Sequence, residues 1–163
     1  MNLAKRLCAA TLAVAAVVPL GSARAQPELV GSWVLDIESS TAPAGLATTA
    51  GTLEITDAGD GKFKSVTEAT VNGAVGRSEV TFSVDGKDYA TTSTPAPPPG
   101  APSVTQAVER VSDTVYKVTI KVNGQPLATA LTEISSDGKT LTQTTTGIGQ
   151  FASVSSTTVF RRK

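Results

Sequence analysis

The most constraining feature of this chain is a row of short turn signals at nearly even spacing. They are Asp57-Ala58-Gly59-Asp60-Gly61, Asn72-Gly73, Asp85-Gly86, Asn123-Gly124 and Asp137-Gly138. Asn-Gly and Asp-Gly supply the positive φ angles that tight hairpin turns require. Ser112-Asp113 reads as a further turn. Between these signals, apolar and polar residues alternate. Tyr116, Val118, Ile120 and Val122 face one way and Lys117, Thr119 and Lys121 the other. Ser78, Val80, Phe82 and Val84 alternate with Arg77, Glu79, Thr81 and Ser83, and Leu53 and Ile55 with Thr52, Glu54 and Thr56. One buried and one wet face is the signature of antiparallel sheet. No stretch beyond the first 25 residues has helical periodicity.

The pattern predicts an all-β domain with about ten strands. They fall near 31–37, 51–57, 63–71, 77–84, 88–93, 103–111, 115–122, 126–134, 140–146 and 153–161. Nearly every link is a local hairpin, so sequential strands should be neighbours in an up-and-down meander. An open meander of this size exposes two edges, and closing it into a barrel of about 8–10 strands removes them. A β-sandwich is the alternative, and it would want longer crossings. Two longer connections interrupt the rhythm. The segment 38–50 is placed to cap one end of the barrel. The segment 94–102 carries Pro95, Pro97, Pro98, Pro99 and Pro102, which forbid a central strand and favour an extended surface loop. The outer faces carry Lys, Glu and Thr, unlike the apolar band of an outer-membrane barrel.

The first 25 residues read as a secretory signal peptide. Lys5 and Arg6 form a positive start, Leu7 to Leu20 an uncharged apolar run, and Gly21-Ser22-Ala23-Arg24-Ala25 a small-residue cleavage site. Cleavage after Ala25 leaves one domain over 26–163, expected in the periplasm or the extracellular medium. The single cysteine, Cys8, leaves with the signal, and the chain has no histidine. Thiol and imidazole catalysis, and cysteine- or histidine-held metals, are thereby excluded from the mature domain. The full chain has 14 basic and 14 acidic residues, and cleavage removes Lys5, Arg6 and Arg24. The mildly acidic remainder offers no electrostatic case for nucleic acid or an anionic membrane.

Gly31-Ser32-Trp33 opens the first expected strand. A Gly-x-Trp there, followed by an antiparallel meander, resembles the start of a lipocalin-like (calycin) barrel. The resemblance implies that Trp33 plugs one end and that a cation from the last strand packs on its ring. Arg162 shares the parity of Phe160 and fits that role. Gly31, Trp33 and Arg162 are therefore expected to close the barrel and perform no chemistry. The chain also resembles a group of small exported bacterial proteins of lipocalin-like type. Asp85-Gly86-Lys87-Asp88-Tyr89, the threonine-rich turn from Ser136 to Gly147, and the ending Val159-Phe160-Arg161-Arg162-Lys163 carry this likeness. The proline-rich loop departs from that pattern, and the group supplies a fold without an activity. Avidin-type barrels also start this way, but they line their site with several tryptophans and this chain has one.

Catalysis without His or Cys would need carboxylates, Lys, Tyr or Ser/Thr, and Glu109 and Glu133 are the candidates for an acid–base pair. Neither sits in a motif, and solvated strand charges explain both. Asp57 to Gly61 lacks the alternating oxygen ligands and terminal Glu of a calcium loop, so a hairpin turn is the reading. Polar residues on expected inner faces are more informative: Gln106, Thr129, Gln143, Thr145, Ser156 and Thr158. Buried and unpaired, each polar atom would cost about 1–3 kcal/mol, whereas a wet cavity or a polar ligand would suit them. The expectation is an exported barrel holding a small molecule, with Tyr89, Gln106, Tyr116 and Gln143 lining its site. The alternative is an envelope or extracellular protein acting through its outer surface. No cofactor is implied.

Overall fold

A computed structural model describes residues 28–43 and 47–163. The expected signal segment lies outside the described residues. Ten antiparallel strands follow one another: β1 (Gly31–Thr41), β2 (Thr48–Gly59), β3 (Lys62–Val71), β4 (Ala74–Phe82), β5 (Asp85–Thr94), β6 (Val104–Arg110), β7 (Val115–Val122), β8 (Gln125–Ile134), β9 (Thr140–Gly147) and β10 (Ser155–Arg162). Each pairs with its sequence neighbours, and β1 pairs with β10, so the sheet is a closed up-and-down barrel and not a sandwich. A single 3-10 turn at Gly149–Phe151 interrupts the β9–β10 link.

The turn chemistry explains the register. Asn72 and Gly73 have φ of 51° and 79°, and Asn123 and Gly124 have 49° and 76°. Two successive positive φ values match the twist of a two-residue hairpin. Asp57 accepts the Gly59 N–H at 2.8 Å and so closes the β2–β3 turn.

Three expectations are corrected. Asp85-Gly86 is not the β4–β5 turn, because β5 already begins at Asp85. Gly86, at φ 73°, lies where the register against β6 slips between Asp85 and Asp88. A left-handed glycine inside a strand adds an unpaired residue and makes a bulge. The segment 38–50 is mostly strand, since β1 runs on to Thr41 and β2 starts at Thr48. What remains of the expected cap is the short link 42–47, of which 44–46 lie outside the described residues. Finally, the β8 parity is inverted. Ile120 pairs with Ala128 but Lys121 with Pro126, leaving Leu127 as an extra residue. Beyond that bulge Ala130, Thr132 and Ile134 are buried, while Leu131 is 44% exposed. Thr129, with the parity of Leu131, therefore does not face the interior.

An up-and-down meander gathers alternate turns at each end. The starts of β1 and the end of β10 share one end with the β2–β3, β4–β5, β6–β7 and β8–β9 links. The large apolar side chains collect toward this end: Leu29, Trp33, Phe63, Phe82, Tyr116 and Leu141 belong to one buried cluster. The openings near the other end are lined partly by small or hydroxylic residues, among them Ala69, Ala74, Gly76, Thr145 and Ser156. The proline-rich loop joins β5 to β6 at this second end.

Candidate functional site

The closed end is built around Trp33, which is 1% exposed. Trp33 pairs across the seam with Arg162, whose guanidinium carbon lies 4.1 Å from the indole centroid. Such stacking contributes about 0.5–2 kcal/mol depending on desolvation. The same guanidinium donates to the carbonyls of Gly138 at 2.6 Å, Val30 at 2.8 Å and Glu28 at 3.0 Å. It thus ties the approach to β1, the β8–β9 turn and the last strand together. A Cβ at Gly31 would collide with this guanidinium, so a larger residue there would push Arg162 off its carbonyl partners. The seam has a second fastening: the Ser40 hydroxyl accepts the Val159 N–H at 2.9 Å, where the β1–β10 register shifts.

Above the plug lies a cavity of about 170 Å³. Its apolar wall includes Leu29, Ile55, Phe82, Val108, Leu141 and Phe160. Its polar wall is Ser65 and Thr67 of β3, Ser78 of β4, Gln106 of β6, Thr132 of β8 and Gln143 of β9. Gln143 donates to the Thr132 hydroxyl at 3.3 Å. Among the described residues, no hydrogen bond engages the side chains of Ser65, Thr67, Ser78 or Gln106. Thr67 and Ser78 also line a wider opening of about 490 Å³ between β3, β4 and β5, which continues the interior toward the proline-rich end.

Gln106, Tyr116 and Gln143 all line the cavity. Tyr116 is 1% exposed, and burial pushes its hydroxyl above the ordinary tyrosine pKa. Tyr89 packs against the core but is not on the cavity wall; its hydroxyl sits 3.1 Å from both carboxylate oxygens of Asp85. Ser65, Thr67, Ser78 and Thr132 were not expected on the wall. Alternation already placed Ser78 with Val80 and Phe82, and that signal was sufficient to find it. Thr132 was hidden by the Leu127 bulge. Glu109 and Glu133 do not converge: both are exposed, and Glu109 pairs with Lys117 at 3.5 Å on the outer surface.

The outer face carries ion pairs. Lys64 meets Glu79 at 2.8 Å, and Arg77 bridges Glu79 at 2.6 Å and Glu68 at 2.7 Å. Lys64 and Arg77 hold the Glu79 carboxyl below its ordinary value. The Ser39 side chain and then Arg161 lower Asp36, the Lys87 N–H lowers Asp85, and the Ser135 hydroxyl lowers Asp137. Depressed carboxyls stabilise the fold above the unfolded-state value near 4, and that contribution is lost as pH falls through the folded values. The raised Tyr116 acts oppositely, with its contribution present below its unfolded value of about 10 and lost as pH rises through the folded one. Thermal melts should therefore show a plateau at neutral pH, a midpoint that drops on acidification below about pH 4, and a shallower acid limb in Glu79→Gln. A flat acid limb in the wild type would contradict this.

Solved structures share this architecture. A fatty acid binding protein of Schistosoma mansoni, solved in complex with arachidonic acid, is similar over 85% of this chain and 98% of its own, with TM-score 0.61 and 18% identity. What is shared is the fold, a closed ten-stranded antiparallel barrel. The fluorescent protein UnaG is similar over 84% of this chain, with TM-score 0.56 and 21% identity for the wild type, which is covered to 98%. A point mutant of UnaG, covered to 97%, gives TM-score 0.58 at the same identity. At these identities the likeness concerns the fold. No protein-family model and no curated protein sequence matches the chain.

Proposed function

We propose that this protein binds a small molecule inside its barrel. The observation that carries the reading is the cavity above the Trp33 plug, where four polar side chains on the wall have no hydrogen-bond partner among the described residues. A concave pocket with an apolar wall and a few convergent polar groups is the usual form of a ligand site, and these four half-buried side chains keep their hydrogen-bonding capacity available to a molecule in the cavity. Gln106, Tyr116 and Gln143 are the proposed contacts. Tyr89 is left out of that set because Asp85 engages its hydroxyl. The structurally similar fatty acid binding protein, solved with arachidonic acid, supports interior binding by analogy of fold. The pattern of residues 1–25 supports export and cleavage after Ala25, so the site would operate in the periplasm or outside the cell.

Native mass spectrometry of the protein recovered from the periplasm of an expression host tests both parts. The expected spectrum shows a chain beginning at Gln26 and a discrete extra mass that disappears on denaturation. A chain retaining residues 1–25 would refute export with cleavage. A bare polypeptide mass, together with no thermal stabilisation by any member of a panel of small amphiphiles, would refute interior binding.

A further inference from the structure

The wall of the cavity has a chemical bias that its volume does not reveal. Apart from the Tyr116 phenol, none of the residues lining it is ionisable. The cations of the described residues lie off the cavity wall, and most of them are engaged by other groups. Arg162 is held by three carbonyls and the Trp33 ring at the closed end. Arg110 is bound to the Ser112 carbonyl and to Asp113, Arg161 to Asp36, Lys121 to Asp88 and Lys117 to Glu109. Arg77 reaches the margin of the wider opening, but Glu68 and Glu79 clamp it there.

A carboxylate drawn into this interior would shed its water and meet no counter-ion, which is the most unfavourable form of polar burial. An uncharged hydroxyl or carbonyl group would meet a suitable wall. The Gln106 amide offers both donors and an acceptor, and the hydroxyls of Ser65, Thr67 and Ser78 rotate to give or take a hydrogen bond. The apolar remainder of such a molecule would lie against Leu29, Phe82, Leu141 and Phe160.

We infer that the ligand is an uncharged amphiphile, with an apolar skeleton and a hydroxyl or carbonyl head directed at Gln106, and that the barrel rejects the corresponding carboxylate. This rests on the interior being the binding site, and it sets the chain apart from the similar protein solved with a fatty acid.

Calorimetric titration with 1-octanol and with octanoate at pH 7 tests the selectivity. Octanol should bind at least about tenfold more tightly, a ratio equivalent to 1.4 kcal/mol. Octanoate affinity should rise as pH is lowered toward 5, because the protonated acid is the form the wall accepts, while octanol affinity stays constant. Gln106→Arg should invert the preference by placing a guanidinium in the wall. The wild-type pH series decides the matter even if that variant does not fold. Octanoate binding as tight as octanol, or independent of pH, would overturn the selectivity and leave interior binding standing. Binding of neither probe would count against the interior site itself and so against both readings.

Discussion

Replacing Trp33 with alanine should remove about 3–5 kcal/mol of folding stability, the range for truncating a buried large aromatic. Typical domains have only about 5–15 kcal/mol to lose, so the variant should be partly unfolded at room temperature. The indole fills the closed end, where Leu29, Ile55, Leu141 and Phe160 belong to the same buried cluster. Its removal also takes away the surface on which Arg162 stacks at 4.1 Å. Arg162 would keep its three carbonyl partners, but the β1–β10 seam would lose the side chain beneath it. Urea denaturation followed by far-UV circular dichroism measures the loss directly, and Trp33→Phe should fall between wild type and alanine. A midpoint within error of wild type would show that the plug is dispensable.

Leu141→Ala should cost about 2–5 kcal/mol, the range for truncating a fully buried leucine. The position differs from Trp33 in its consequence. Leu141 is 1% exposed, pairs with Phe160 and Ile134, and also forms part of the cavity wall. Truncation therefore enlarges the cavity of about 170 Å³ from its apolar side while leaving the polar wall in place. Affinity for an uncharged alcohol a few carbons longer than octanol should rise relative to octanol itself, although the protein is less stable. Parallel titrations and denaturation curves separate the two effects. Loss of stability with an unchanged chain-length preference would mean that ligands do not reach the apolar wall.

The depressed surface carboxyls and the buried Tyr116 bear on the conditions for both experiments. Neutral pH lies on the stability plateau, so differences between variants measured there report packing and not titration.

Much of this molecule could be read from local chemistry. Asn72-Gly73 and Asn123-Gly124 stand at hairpin turns because their backbone angles require residues that tolerate positive φ. Alternation along β7 placed Tyr116, Val118 and Ile120 on one face, and all three line the cavity. The same parity put Gln106 with Val108 and Gln143 with Leu141. Trp33 and Arg162 were paired by resemblance and parity together, and the seam register joins them. These features survive because a strand's period of two carries side-chain direction along the chain without reference to any other strand.

The errors occurred where a partner strand changes that count. Leu127 is extra only relative to β7, and Gly86 sits in a bulge only relative to β6. A single unpaired residue reverses every face beyond it, which puts Thr132 on the cavity wall in place of Thr129. Composition and alternation alone determined an antiparallel meander with one apolar face. Tertiary structure decided where the register slips at Leu127 and Gly86, that large side chains gather at the Trp33 end, and that Ser65, Thr67 and Thr132 join Gln106 and Gln143 on the cavity wall. Those outcomes depend on closure and stagger between distant strands, which relate residues far apart in sequence and leave no periodic trace in either segment.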